Sequence, residues 1–196
     1  MKNSKWGTTS YDDKPCYVVL FCSRNKDNVD IDGFKERRKS FVTNKAPNEL
    51  EREFGHFIND GVMDEMSRFY YSVNERDMKK AKKELMHFLI DDDEFNLCSL
   101  QSKFAGICAK KENAKTKKWM FDFDIDDKNA VEEFLEDISK CITEGIEVEV
   151  KKTPHGYAII TEHGFDTREL QLDTKWKDVT LKRDDLLCVN WGWKDE

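Results

Sequence analysis

Hydrophobic and polar positions fall into short, readable stretches along this chain. Residues 15–23 (Pro-Cys-Tyr-Val-Val-Leu-Phe-Cys-Ser) form a nearly continuous apolar run, short enough for a buried strand. A turn-like stretch at 25–33 follows. Residues 34–43 then mix Lys35, Arg37, Arg38 and Lys39 with Phe34 and Phe41, a basic cluster that reads as a solvated face or a phosphate-contacting patch. Within 46–64, Phe54, Phe57 and Ile58 stand at helical spacing. Residues 68–73 are strand-like. Asn74 is then placed to cap a helix whose first turn holds Glu75 and Asp77. Its apolar stripe is Met78, Ala81, Leu85, Phe88 and Leu89, with Lys79, Lys80, Lys82 and Lys83 on the other face. Residues 95–118 are ambiguous: Leu97, Leu100, Phe104 and Ile107 favour a helix, the lysine-rich 110–118 a loop.

The stretch 119–127 (Trp-Met-Phe-Asp-Phe-Asp-Ile-Asp-Asp) alternates with the period of a strand. Asp122, Asp124 and Asp126 share one face, and Phe121, Phe123 and Ile125 the other. Asn129 and Glu132 have capping-box spacing, Val131, Phe134, Leu135, Ile138 and Ile142 make a second helical stripe, and Gly145 is a natural stop. Residues 146–150 alternate cleanly, Pro154-His155-Gly156 can turn the chain, and 157–161 return as a strand. A short helix is expected near 166–170, and 179–181 with 186–191 read as a last hairpin. From residue 67 the order suits an α+β sandwich, a mainly antiparallel sheet with helices packed on one face. The acidic strand would then expose its carboxylates on the open face.

Composition narrows the function. In 196 residues, charged side chains make up 37% and aromatic ones 12%, enough aromatic bulk to argue against disorder. The formal charge of −7 excludes a uniformly basic nucleic-acid coat, so any contact with nucleic acid needs local clusters or metal ions. The six cysteines show no Cys-x-x-Cys pair and lie mostly in apolar runs, as buried reduced thiols of a cytoplasmic protein do. The polar opening residues lack the apolar core of a signal peptide, and no run reaches membrane-spanning length.

Adjacent carboxylates repel one another unless a cation intervenes. An EF-hand loop fails because Asp127 stands where that loop needs glycine. A phosphatase-type aspartate nucleophile belongs early in a doubly wound fold, whereas hairpins follow here. A third reading is a two-metal nucleotidyl-transfer palm, in which paired aspartates hold ions that clamp the attacking and leaving oxygens. The plain alternative, commoner for a lone Asp-x-Asp, is an edge strand running into an acidic turn.

An apolar lead into Asp122-x-Asp124, then a helix, then a hairpin turning at Thr153-Pro154-His155-Gly156-Tyr157 resembles the archaeo-eukaryotic primase and primase-polymerase superfamily, including its small viral and mobile-element members. The resemblance implies an RRM-like palm over 67–196, with 1–66 (strand, basic segment, helix) as an N-terminal extension packing on it. It implies Mg²⁺ or Mn²⁺ at Asp122 and Asp124, which would also be the catalytic pair. Ala158 stands where the family's second motif has a histidine, with His155 three residues earlier, and Asn190 stands where its third has an aspartate; Asp184 and Asp185 precede that strand. Nucleotide contacts would come from Lys151, Lys152, His155, Tyr157, Arg168 and Asn190, although Lys151, Lys152 and Arg168 also read as exposed strand-end charges. The expected function is binding of nucleotide or nucleic acid, with nucleotidyl transfer weak or absent. The alternative is a non-enzymatic viral-type effector that presents acidic and aromatic surface to a protein partner.

Overall fold

The apolar run after Pro15 forms β1 (Tyr17–Ser23), and its alternation decides what packs on each side. The computed structural model describes residues 14–142, 145–172 and 174–195; the polar opening stretch, up to residue 13, lies outside them. β1 sits inside a four-stranded antiparallel sheet between β2 (Arg37–Thr43) and β3 (Met66–Ser72), and β3 pairs in turn with β8 (Leu186–Trp193). Val19 and Phe21 face α1 (Glu51–Asn59) and join Phe54, Phe57 and Phe69 in one aromatic core. On the opposite face, Val18 is covered by α2 (Met78–Asp91) and α3 (Leu100–Cys108) through Ala81, Ala105 and Ile107. Leu20 and Cys22, further along that face, are left to line a cleft.

The second sheet follows the order β5–β6–β4–β7, again antiparallel, from β4 (Trp119–Phe123), β5 (Val148–Thr153), β6 (Gly156–Thr161) and β7 (Val179–Lys182). With α4 (Lys128–Cys141) and α5 (Arg168–Leu172), its chain order is β-α-β-β-α-β. Phe121, Phe123 and Ile159 pack against Val131, Phe134, Ile138, Leu170 and Trp176 on the helical side. Met120, Ala158 and Ile160 meet Leu187 of β8 on the other, so the sheets touch there and separate toward Asp122. The α+β class, and the hairpin turning at 154–156 beside the acidic strand, are as the pattern predicts.

Three local expectations are corrected. Asp77, not Asn74, caps α2, accepting from the backbone N–H groups of Lys79 and Lys80. Asp127, not Asn129, caps α4. The last hairpin does not exist: β7 joins β4 while β8 joins β3. Alternation tells each strand that it needs a sheet edge, and two edges were on offer. Of the cysteines, Cys16, Cys22, Cys108 and Cys188 are buried, Cys141 is half-buried and Cys98 is exposed; all are free thiols. Among the described residues no helix is long and apolar enough to cross a membrane.

Candidate functional site

Gly156 brings the parts of the site together. A Cβ there would stand 2.1 Å from the Phe123 carbonyl oxygen and 2.8 Å from the Ile125 nitrogen, so only glycine lets the β5–β6 turn close on the end of β4. That closure sets His155 beside Asp122 and Asp124 in a cleft of 580 Å³ between the two sheets. Volumes of this order hold small ligands.

The cleft has two unlike walls. From the first sheet come Arg24 just past β1, Lys26, Arg38 of β2, and Arg68 and Tyr70 of β3. From the second come Asp122 and Asp124, the turn residues 153–155, Ala158, Lys182 of β7 and Asp185. Leu20, Met120, Leu186, Leu187 and Cys188 make it apolar in between.

Asp27 organises the basic wall. It accepts from Arg24 Nε at 2.7 Å and from Arg68 Nη2 at 2.6 Å. Burial alone would raise its carboxyl, but hydrogen bonds from the two guanidinium groups outweigh that and hold it below its ordinary value. Arg68 Nη2 also lies 2.8 Å from His155 Nε2, joining the two sheets across the cleft; a guanidinium only donates, so Nε2 accepts. On the acidic wall, Lys182 Nζ lies 2.7 Å from Asp122 and 3.1 Å from Asp185. Burial would lower that ammonium, yet the two carboxylates hold it above its ordinary value and charged. Burial pushes the Cys188 thiol up to about 12, so it lines the cleft as a protonated, unreactive group.

Asp122, Asp124 and His155 therefore converge, with Arg38, Ala158 and Asp185 in the same cleft, while the other expected nucleotide contacts lie elsewhere. Lys151 pairs with Glu149 at 2.6 Å on exposed β5. Lys152 pairs with Asp126 and stands 4.4 Å from the centre of the Tyr157 ring, which itself packs toward the core under α4. Arg168 pairs with Asp166 at the start of α5. Asn190, opposite Phe69 on β8, turns its Oδ1 to the Trp191 backbone N–H at 2.8 Å. Position 158 sits directly across the ladder from Asp122. The later carboxylate in the cleft is Asp185. Arg24, Arg68, Tyr70 and Lys182 were not singled out; the one signal for Arg68 was a charge inside an otherwise aromatic strand.

No protein-family model, no curated protein and no solved structure matches the chain.

The expected Mg²⁺ or Mn²⁺ would need oxygen donors from this cleft. Among the described residues, no three His, Cys, Asp or Glu side chains stand together closely enough to hold a metal ion. Asp122, the inner member of the pair, already has an ammonium against it. A hard cation prefers several oxygen ligands in a defined shell. A cation at Asp122 and Asp124 would have to displace the Lys182 ammonium and complete its shell with water and substrate phosphates.

Proposed function

We propose that this chain is a primase-polymerase-like protein whose RRM-like palm binds a nucleotide or nucleic acid by its phosphates in the cleft between the sheets, and polymerises weakly or not at all. The observation that carries the reading is the meeting of Asp122, Asp124 and His155, separated in sequence, with Arg24, Arg38 and Arg68 around one cleft. The β-α-β-β-α-β order of the second sheet, with the acidic strand central in it, supports the palm. Tyr70 and the apolar interior suit a base, and the guanidinium groups suit phosphate oxygens. Weak polymerisation follows from Ala158 and Asn190: stabilising a transition state needs charge placed at the reacting atoms, and neither side chain supplies it.

The test is a titration of ATP and of a labelled single-stranded oligonucleotide by anisotropy and calorimetry, beside an incorporation assay with labelled nucleotide. Binding that weakens with rising salt, and falls in Arg38→Gln, is expected, with little incorporation. Robust incorporation lost in Asp124→Asn would show an active polymerase. Absence of binding at low salt, with Mn²⁺ present, would remove the reading in favour of the protein-partner effector.

A further inference from the structure

Two arginines that line the cleft each hold a buried nitrogen with no hydrogen-bond partner among the described residues. Arg68 is 4% exposed; its Nη2 is shared between Asp27 and His155, and its Nε has no hydrogen-bond partner. Beside it, Arg24 gives Nε to Asp27 and leaves Nη2 buried and unpartnered. An unmet buried donor on a charged group costs more than an ordinary missing hydrogen bond. Arg76 Nε is another, in the Asp184 cluster, and what sets Arg24 and Arg68 apart is that both side chains line the cleft. The fork of a guanidinium matches two oxygens of a phosphate. Arg38 and Lys26 add positive charge to the same cleft, against which Asp27 supplies one carboxylate within hydrogen-bond reach of Arg24 and Arg68.

A phosphate on this wall faces Asp122 and Asp185 opposite. Repulsion between those groups is what a divalent ion ordinarily removes at such sites. Here Lys182, bonded to Asp122 and Asp185, already supplies one positive charge against the three carboxylates of the cleft, Asp124 being the third. We propose that the Arg24–Arg68 wall is a phosphate site that works without a divalent cation, with Lys182 as the built-in counter-ion of Asp122 and Asp185. This rests on the cleft being the binding site, as proposed above, but requires neither a nucleoside nor a polymerase.

The probe is inorganic tripolyphosphate, titrated by calorimetry into the full-length chain in EDTA and again with Mn²⁺. Binding in EDTA is expected, changed less than about twofold by Mn²⁺, and weakened roughly tenfold in Arg24→Gln and in Arg38→Gln, a charge-assisted bond's worth. Lys182→Met strips the carboxylates of their cation; its binding is expected to collapse in EDTA and to return with Mn²⁺. Arg38 lies at the exposed rim, paired with the surface carboxylate of Glu36, so its variant keeps the test valid should Arg24→Gln unfold. Wild-type binding only with Mn²⁺, or undiminished binding in Arg38→Gln with Arg24→Gln unfolded or likewise undiminished, overturns the proposal. Tripolyphosphate binding without ATP or oligonucleotide binding keeps the subsite and removes the nucleotide reading. Mn²⁺-dependent ATP binding alone does the reverse.

Discussion

Asp27 holds two guanidinium groups at once, and its side chain is only 5% exposed. Because its folded value lies below the ordinary 3.8, the unfolded chain takes up that proton first as pH falls. The stabilisation is therefore complete above the unfolded value and is lost as pH drops below it through the folded one. Glu65, whose side chain is equally buried and held down by Arg37 and the Val62 backbone N–H, acts in the same window and direction. Wild-type melting temperature should fall across that range more steeply than that of Asp27→Asn, which starts lower at neutral pH because two arginines have lost their counter-charge and one of two acceptor oxygens. Parallel curves for the two proteins would show that Asp27 does not carry this linkage.

At the scale of elements, one polar cluster decides how β7 and β8 are parted. Arg76 meets Asp184 through two bonds, at 2.7 and 3.0 Å, with side chains 1% and 3% exposed. Asn74 donates to Asp184 and to the Lys118 carbonyl, and accepts from Thr116 and the Lys118 backbone N–H. The cluster ties the end of β3 to the approach to β4 and to the crossing between the sheets. Asn74 is thereby withdrawn from the helix-cap role its position suggested, and Asp184 from the cleft. Asp184→Ala strands a buried arginine and is expected to cost about 3–5 kcal/mol in urea unfolding. Asp185→Ala, next in sequence but half-exposed in the cleft, should cost no more than about 1 kcal/mol. Equal losses would mean that the buried pair is not the anchor.

At the scale of the whole molecule, the two sheets are interleaved in sequence. β1 and β2 belong to residues 1–66, yet their sheet is completed by β3 and by β8 from the far end of the chain. A fragment starting at Ser67 retains all four strands of the second sheet but leaves β3 without β1, exposing Phe69 and its edge to water. Such a fragment should be insoluble or molten, with dye binding and no cooperative transition, while the full chain unfolds in one step. A well-behaved, cooperatively folding 67–196 would show that the second sheet needs no partner. The net charge of −7 is likewise a whole-molecule number that says little about the cleft, where Arg24, Lys26, Arg38 and Arg68 gather on one wall.

Periodicity was enough to place strands within 15–23 and 119–127 and at 157–161, the helices built on Phe54, Val131 and Phe134, and the hairpin at Pro154, because each depends on contacts a few residues away. The α+β class and the placing of Asp122, Asp124 and His155 near one another followed from that local order. Caps were misassigned by a few residues because Asn74 and Asn129 satisfy the same local rule as Asp77 and Asp127; Asn74 is buried and spent on Lys118, Asp184 and Thr116 instead. Tertiary structure alone decided which sheet received β8, and it set Arg24, Arg68 and Lys182 around the aspartates. Those side chains come from strands that meet only when two hydrophobic faces close on each other, and pairing across 41 residues, as between Asp27 and Arg68, leaves no periodic trace in a single sequence.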